Sequence, residues 1–319
     1  MLTVQRWVPV FGMLMAAALL PPGAYARQQR AAAEPDAAAL DALVKAKPGA
    51  YLVNGRTIAP SADASALPVF VQTDVYRRAE GGIEVTVAIG AQAPGAWAAR
   101  LRIAKAGATG NEGRAAEATL SGLAGSVRQT SHFTLQPGNY ELVLALVAGK
   151  GGSGGIGTVV RQGLTVPDLA AQTLASSPMV LGDAVSYVAG DAPSRPFVFG
   201  TTQLMPAARN QFRQSDQLHI ACRVYGWKAD ADAKPDLTVE YVFQEHIHDH
   251  VRFFNKTKTQ ELNARTLART FDGKAGAVAV GMTVPLGAFP TGEFDLVVRI
   301  KDKRTQTMTS QKATFVVRE

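Results

Sequence analysis

From about residue 67 to the C-terminus, apolar residues recur at close to every second position. Alternation of this kind is the mark of half-buried β-strands, because successive side chains on a strand point to opposite faces. "PVFVQTDVYRR", "GGIEVTVAIG", "WAARLRIAKA", "HFTL", "YELVLALVA" and "GTVVRQGLTV" read as six strands separated by Gly- and Pro-rich turns. "VPDL" interrupts the pattern. A second set follows: "SRPFVFG", "DQLHIACRVYGW", "DLTVEYVFQEH", "AVAVGMTVPL", "EFDLVVRIKD" and "KATFVVRE". No long helical period appears after residue 50, so the expected class is all-β.

The two sets end alike. "LQPGNYELVLALV" (135–147) and "AFPTGEFDLVVRI" (288–300) each carry a Pro, then Gly-x-aromatic, then roughly alternating aliphatics, and a final strand follows each. A penultimate sandwich strand needs this order, since the aromatic covers the corner while every second residue enters the core. In the first copy the Tyr140 hydroxyl is expected to bond back across the turn; Phe294 has none and only packs. This weak internal repeat predicts two tandem immunoglobulin-like β-sandwich domains, at 67–167 and 179–319, joined by a linker at 168–178.

Residues 27–66 read as a flexible N-terminal arm. Leu40, Leu43 and Val44 have helical spacing in "AAALDALVKAK" before Lys47-Pro48-Gly49, and "YLVNGRTI" places Asn54-Gly55 between two apolar runs as a hairpin turn. Residues 1–26 have the form of a signal peptide: Arg6, an apolar stretch from Trp7 to Leu20, and the small-residue site Ala24-Tyr25-Ala26. The expectation is a periplasmic or secreted protein with no stable membrane insertion after leader cleavage.

The net charge of +7 changes this picture little, because each half of the mature chain carries +3 and no basic run interleaves with aromatics. Nucleic acid is not an expected partner. The single cysteine, Cys222, lies in an alternating apolar stretch and reads as a buried, inert thiol.

The stretches "LTVPDLAAQTLASSPMVL", "PFVFGTTQLMPAARNQFRQSDQLHIACRVYG" and "VPLGAFPTGEFDLVVRIKD", with the closing "ATFVV", resemble the C-terminal β-rich region of secreted bacterial von Willebrand factor A-related proteins of the acidobacterial type. The resemblance covers roughly residues 160–319. It implies an exported β-sandwich without the A domain. That domain's metal motif, Asp-x-Ser-x-Ser, meets only Asp63-Ala64-Ser65-Ala66-Leu67 here, so no functional residue carries over.

Catalytic templates fail on context. "GKGGSGG" (149–155) matches both a dinucleotide fingerprint and a nucleophile elbow, but each requires a strand leading into a helix, and this loop leads from strand to strand. Ser131 and His132, or His219 and Cys222, sit at odd spacings that send them to opposite faces of a strand.

The remaining chemistry lies in "FQEHIHDHVRFF" (243–254), where three of the five histidines occupy alternate positions. If the strand continues through 245–250, His246, His248 and His250 share one face at about 6.6 Å spacing, and two neighbouring imidazoles reach a Zn²⁺ or Cu²⁺. No histidine follows His250, which removes the later ligands that a metallo-β-lactamase pattern requires. The plain reading is a solvated strand end, since alternate polar positions are normal on a half-exposed sheet.

The expected function is therefore that of a non-enzymatic protein-interaction or structural module of the envelope or extracellular space, presenting loops or edge strands to an unknown protein partner. No catalytic residue and no cofactor are assigned. The alternatives are a metal-binding module using His246, His248 and His250, and a carbohydrate-binding module using Trp97, Tyr225 and Trp227.

Overall fold

The structure, a computed structural model, describes residues 51–53, 56–58, 69–78, 82–108, 113–148, 156–171, 173–189, 195–248, 250–267, 271 and 276–319. The expected leader, arm helix and "GKGGSGG" loop lie outside the described residues. Those residues contain no helix, so none is long and apolar enough to cross a membrane. The protein is all-β.

Strands β1 (Tyr51–Val53) and β2 (Arg56–Ile58) pair antiparallel, with Val53 opposite Arg56. Strands β3 (Val69–Arg77), β4 (Ile83–Lys105), β5 (Arg114–Leu135), β6 (Gly138–Ala148) and β7 (Ile156–Val166) then form one sheet in the order β3-β4-β6-β7, with β5 also on β4. The two expected strands "GGIEVTVAIG" and "WAARLRIAKA" are one: β4 runs through Pro94-Gly95. The ladder to β5 skips both residues, shifting between Ala93 and Ala96 and again between Trp97 and Ala99. Proline has no amide to donate to a ladder, so the skip falls where the backbone requires it.

β4 pairs with β3 over its first part and with β6 over its last. Its two parts are two walls of one core: Val85, Val87 and Ile89 from the first, Leu101 and Ile103 from the second, with Val71, Val75, Leu142, Leu144 and Leu146. The first unit is thus a single sheet folded over itself.

The second unit comprises β8 (Ala175–Ser176), β9 (Val180–Tyr187), β10 (Val198–Phe199), β11 (Thr202–Pro206), β12 (Gln211–Arg213), β13 (Gln217–Tyr225), β14 (Leu237–Ile247), β15 (His250–Lys256), β16 (Gln260–Leu262), β17 (Ala277–Pro285), β18 (Gly292–Asp302) and β19 (Met308–Arg318). They form two six-stranded sheets, ordered β10-β11-β9-β13-β17 with β8 on β13, and β12-β19-β18-β14-β15 with β16 on β14. Both face one core. Leu218, Ile220, Cys222 and Val224 enter it from β13, Tyr241 and Phe243 from β14, and Phe294, Leu296 and Val298 from β18. Phe243, Phe289, Phe294 and Phe315 meet at centroid distances of 5.2 to 6.4 Å, mostly edge to face, as ring quadrupoles favour.

The repeated Gly-x-aromatic opens β6 and β18 alike. Gly138 and Gly292 have φ of 151° and 154°, and Tyr140 and Phe294 place a ring edge 3.6 and 4.0 Å from where each glycine's Cβ would stand. The Tyr140 hydroxyl donates to the Gln136 carbonyl at 2.8 Å, the bond expected across that turn.

The two units meet along β3 and β13, whose second faces look polar in sequence yet are buried. On β3, the Gln72 amide accepts from Leu181 N–H at 2.6 Å and donates to Leu181 C=O at 2.7 Å, pairing with that peptide as a neighbouring strand would. Asp74 accepts from Phe197 N–H at 2.6 Å and pairs with Arg223 of β13. The Arg223 guanidinium also donates to the carbonyls of Val198 (2.6 Å) and Arg195 (3.0 Å), and lies 4.5 Å from the Phe199 ring centroid and 5.1 Å from that of Tyr76. Arg223 is 2% exposed and Asp74 0%, so the pair is removed from water but fully partnered. Tyr225, from the same face of β13, enters the first unit's core.

A Cβ on Gly90 would overlap the backbone of Ala208, which explains why this close approach of β4 has glycine. The stretch expected to be a linker is docked. Leu169 and Ser177 are buried, Ser177 N–H donates to Arg223 C=O at 2.8 Å, and β8 pairs with β13.

Candidate functional site

The histidine stretch is a hairpin. β14 ends at Ile247, which pairs with His250, the first residue of β15; His248 between them has φ 54°. That left-handed conformation turns the chain, so the strand does not continue through 245–250 as the metal geometry required. His246 pairs with Val251 and Ile247 with His250, which sends His246 and His250 to opposite faces, while His248 belongs to the turn. Among the described residues no three His, Cys, Asp or Glu side chains converge as a metal-holding group; Asp249 is outside them.

His246 instead joins a polar cluster on the outer face of its sheet. Asp295 of β18 accepts from the Thr314 hydroxyl at 2.6 Å and from the Lys312 ammonium at 3.0 Å. His246 Nε2 lies 3.1 Å from Asp295 Oδ2, out of line for a hydrogen bond, and Nδ1 lies 3.7 Å from Glu293. Burial pushes the Asp295 carboxyl up, but the contacts from Thr314, Lys312 and His246 outweigh it and hold the pKa below the usual 3.8. The imidazole is committed to this face.

Next to the cluster runs β15, the end strand of the order β12-β19-β18-β14-β15, with no further strand on its outer side among the described residues. Val251 and Phe253 are 50% and 61% exposed on the outer face beside His246 and Gln244. A register shift lies opposite Phe254: Gln244 pairs with Phe253 and Phe243 with Asn255. The extra residue, Phe254, turns inward and packs against Phe289 and Phe294 at 4.9 and 5.3 Å. On the inward side His250 is exposed at the hairpin end, and Arg252 donates through Nε (3.1 Å) and Nη2 (2.8 Å) to one oxygen of the buried Glu245. Core phenylalanines therefore anchor an edge whose outer side chains are apolar.

The other sequence candidates are placed as follows. Tyr225 is buried and its hydroxyl donates to Val75 C=O at 3.4 Å, so its ring cannot present itself to a sugar. Trp227 is half-buried against Phe271, at 6.4 Å; the side chain of Trp97 is outside the described set. Ser131 is buried while His132, bonded to Thr86 at 2.9 Å, is exposed, and His219 bonds to Thr283 at 2.8 Å while Cys222 faces the core. Both odd-spaced pairs are thus split across their strands, as expected. Burial pushes the Cys222 thiol up to about 12.

Sequence reasoning missed two features. The edge had a signal, since the doublet Phe253-Phe254 breaks a period of two and marks a bulge. The buried Asp74–Arg223 pair had none, because a charged residue at an alternate strand position reads as solvent-facing.

The molecule is thus an all-β protein with an apolar edge strand. No family model and no curated protein matches the chain. Among solved structures it is similar to a β-glucuronidase from Bacteroides uniformis, with 11% identity and a TM-score of 0.22, over 73% of this chain and 26% of that one. The chain spans about a quarter of that structure's length, and a likeness of this degree carries no argument about fold or activity.

Proposed function

We propose that this chain is an exported, non-enzymatic protein-interaction module of the cell envelope or extracellular space, and that β15 is where it meets its partner. In this reading the two units are tandem immunoglobulin-like β-sandwiches behind a short helical arm. One observation carries the proposal: an end strand with exposed Val251 and Phe253, anchored by the partly buried Phe254 packing on Phe289 and Phe294 of the core. Edge strands offer unpaired amides and carbonyls, and an added strand satisfies them while side-chain pockets supply specificity. The metal alternative has less support, because His246 and His250 project to opposite faces. The carbohydrate alternative loses Tyr225 to the core.

The experiment places a photo-crosslinking amino acid at Val251 in the native host, with the exposed turn residue Thr305 as control. A discrete protein adduct specific to position 251 is expected. Equal labelling at both positions, or none at 251, overturns the proposal.

A further inference from the structure

We propose that β15 accepts, as an added antiparallel strand, an extended segment of another protein in which acidic and apolar residues alternate. The inference rests on the interaction reading above and assigns the chemistry of the partner. Residues 250–259 contain His250, Arg252, Lys256 and Lys258 and no acid. On the inward face of the edge, Arg252 spends Nε and Nη2 on the single Glu245 oxygen, which leaves further guanidinium N–H groups for a second carboxylate beside exposed His250. On the outer face Val251 and Phe253 stand exposed. An incoming strand therefore meets the Arg252 cation and the His250 imidazole on one face and apolar positions on the other, and the pattern that satisfies both faces is acidic, apolar, acidic.

The same residues disfavour a second copy. Antiparallel pairing of two β15 strands that keeps each face in register centres on one residue. Centred on Arg252, it sets that guanidinium against its counterpart in the copy; centred on Val251, it sets Arg252 against His250, which has no carboxylate to pair with it. Centred on Phe253, the ladder runs into the bulge at Phe254. Like charges directly opposite one another destabilise a sheet, and charged or bulged edges are how proteins avoid pairing with themselves. The edge matches an acidic strand better than it matches its own copy.

The test uses the full mature chain and a labelled peptide, acetyl-Thr-Glu-Val-Glu-Val-Glu-Thr-amide, followed by fluorescence anisotropy. Its controls are a counterpart with lysine for glutamate and one N-methylated at alternate amides. The acidic peptide should bind at least about tenfold tighter than the lysine peptide, and more weakly as salt rises from about 50 to about 300 mM. N-methylation and Phe253→Glu should each abolish binding; position 253 is exposed, so the variant folds. Tighter binding of the lysine peptide overturns the acidic assignment, and so does failure of both peptides while the Val251 crosslink persists; the interaction reading survives either result. Binding unaffected by Phe253→Glu overturns β15 as the site. Concentration-dependent dimerisation lost in Phe253→Glu would make a second copy the occupant and overturn the proposal.

Discussion

Replacing Arg223 by methionine probes the junction on which the arrangement of the two units depends. The substitution keeps an unbranched chain of similar length against the Phe199 and Tyr76 rings but removes the guanidinium. Asp74, 0% exposed, would retain Phe197 N–H as its partner and lose the counter-charge it pairs with, while the Val198 carbonyl would lose its guanidinium donor and the Arg195 carbonyl would keep Val198 N–H at 3.4 Å. Breaking a buried pair from one side costs about 3 to 5 kcal/mol. The buried Val198 carbonyl, left without its guanidinium donor, belongs to the same penalty, so a cost within that range is expected. Removing both charges is milder, because a well-packed apolar pair replaces a buried ion pair at little or no cost. Asp74→Leu/Arg223→Met should therefore be more stable than Arg223→Met alone. Urea unfolding followed by tryptophan fluorescence gives both numbers, and a loosened junction should also split one transition into two. A cost below about 1 kcal/mol for Arg223→Met, or a double variant weaker than the single one, would refute the reasoning.

Gly90→Ala should separate the units by steric overlap with Ala208, lowering the denaturation midpoint while each core stays folded; an unchanged midpoint contradicts the close approach. Asp295→Asn should cost about 1 to 2 kcal/mol at neutral pH through loss of the charge facing Lys312. Because the folded pKa of Asp295 is depressed below 3.8, its contribution is full above that value and fades as pH falls through the folded one. Wild-type and variant stabilities should converge in acid, and curves that stay parallel from about pH 7 to about pH 3 would count against the cluster. Cys222, with its thiol pushed up to about 12 by burial, should resist a polar disulfide reagent at mildly alkaline pH until the second unit unfolds; rapid labelling of the native protein would contradict its place in the core.

Alternation revealed β13, β14, β17, β18 and β19 because each sends a clean apolar column into the core. The Gly-x-aromatic signal held down to the Tyr140 bond because turn and ring act within a few residues. β5 was legible only at its "HFTL" end, since "AAEATLSGLAGS" offers little apolar contrast and weak strand propensity. The hairpin at His248 was hidden for a different reason. Positive φ is ordinarily signalled by Asn or Gly, and His-Ile-His-Asp-His reads as unbroken alternation, so the turn becomes visible only through the pairing of Ile247 with His250. Burial of Gln72, Asp74 and Arg223 is a tertiary event. Nothing in a local pattern distinguishes a polar strand face in water from one covered by another unit.

The role of β15 is tested most directly by amide hydrogen exchange over residues 248–257, measured on the mature protein alone and after saturation with the partner captured at Val251. Strand addition predicts slowing of at least about tenfold in β15 with little change at the distant edge strand β10. Unchanged exchange across β15, with protection appearing elsewhere, would contradict the account.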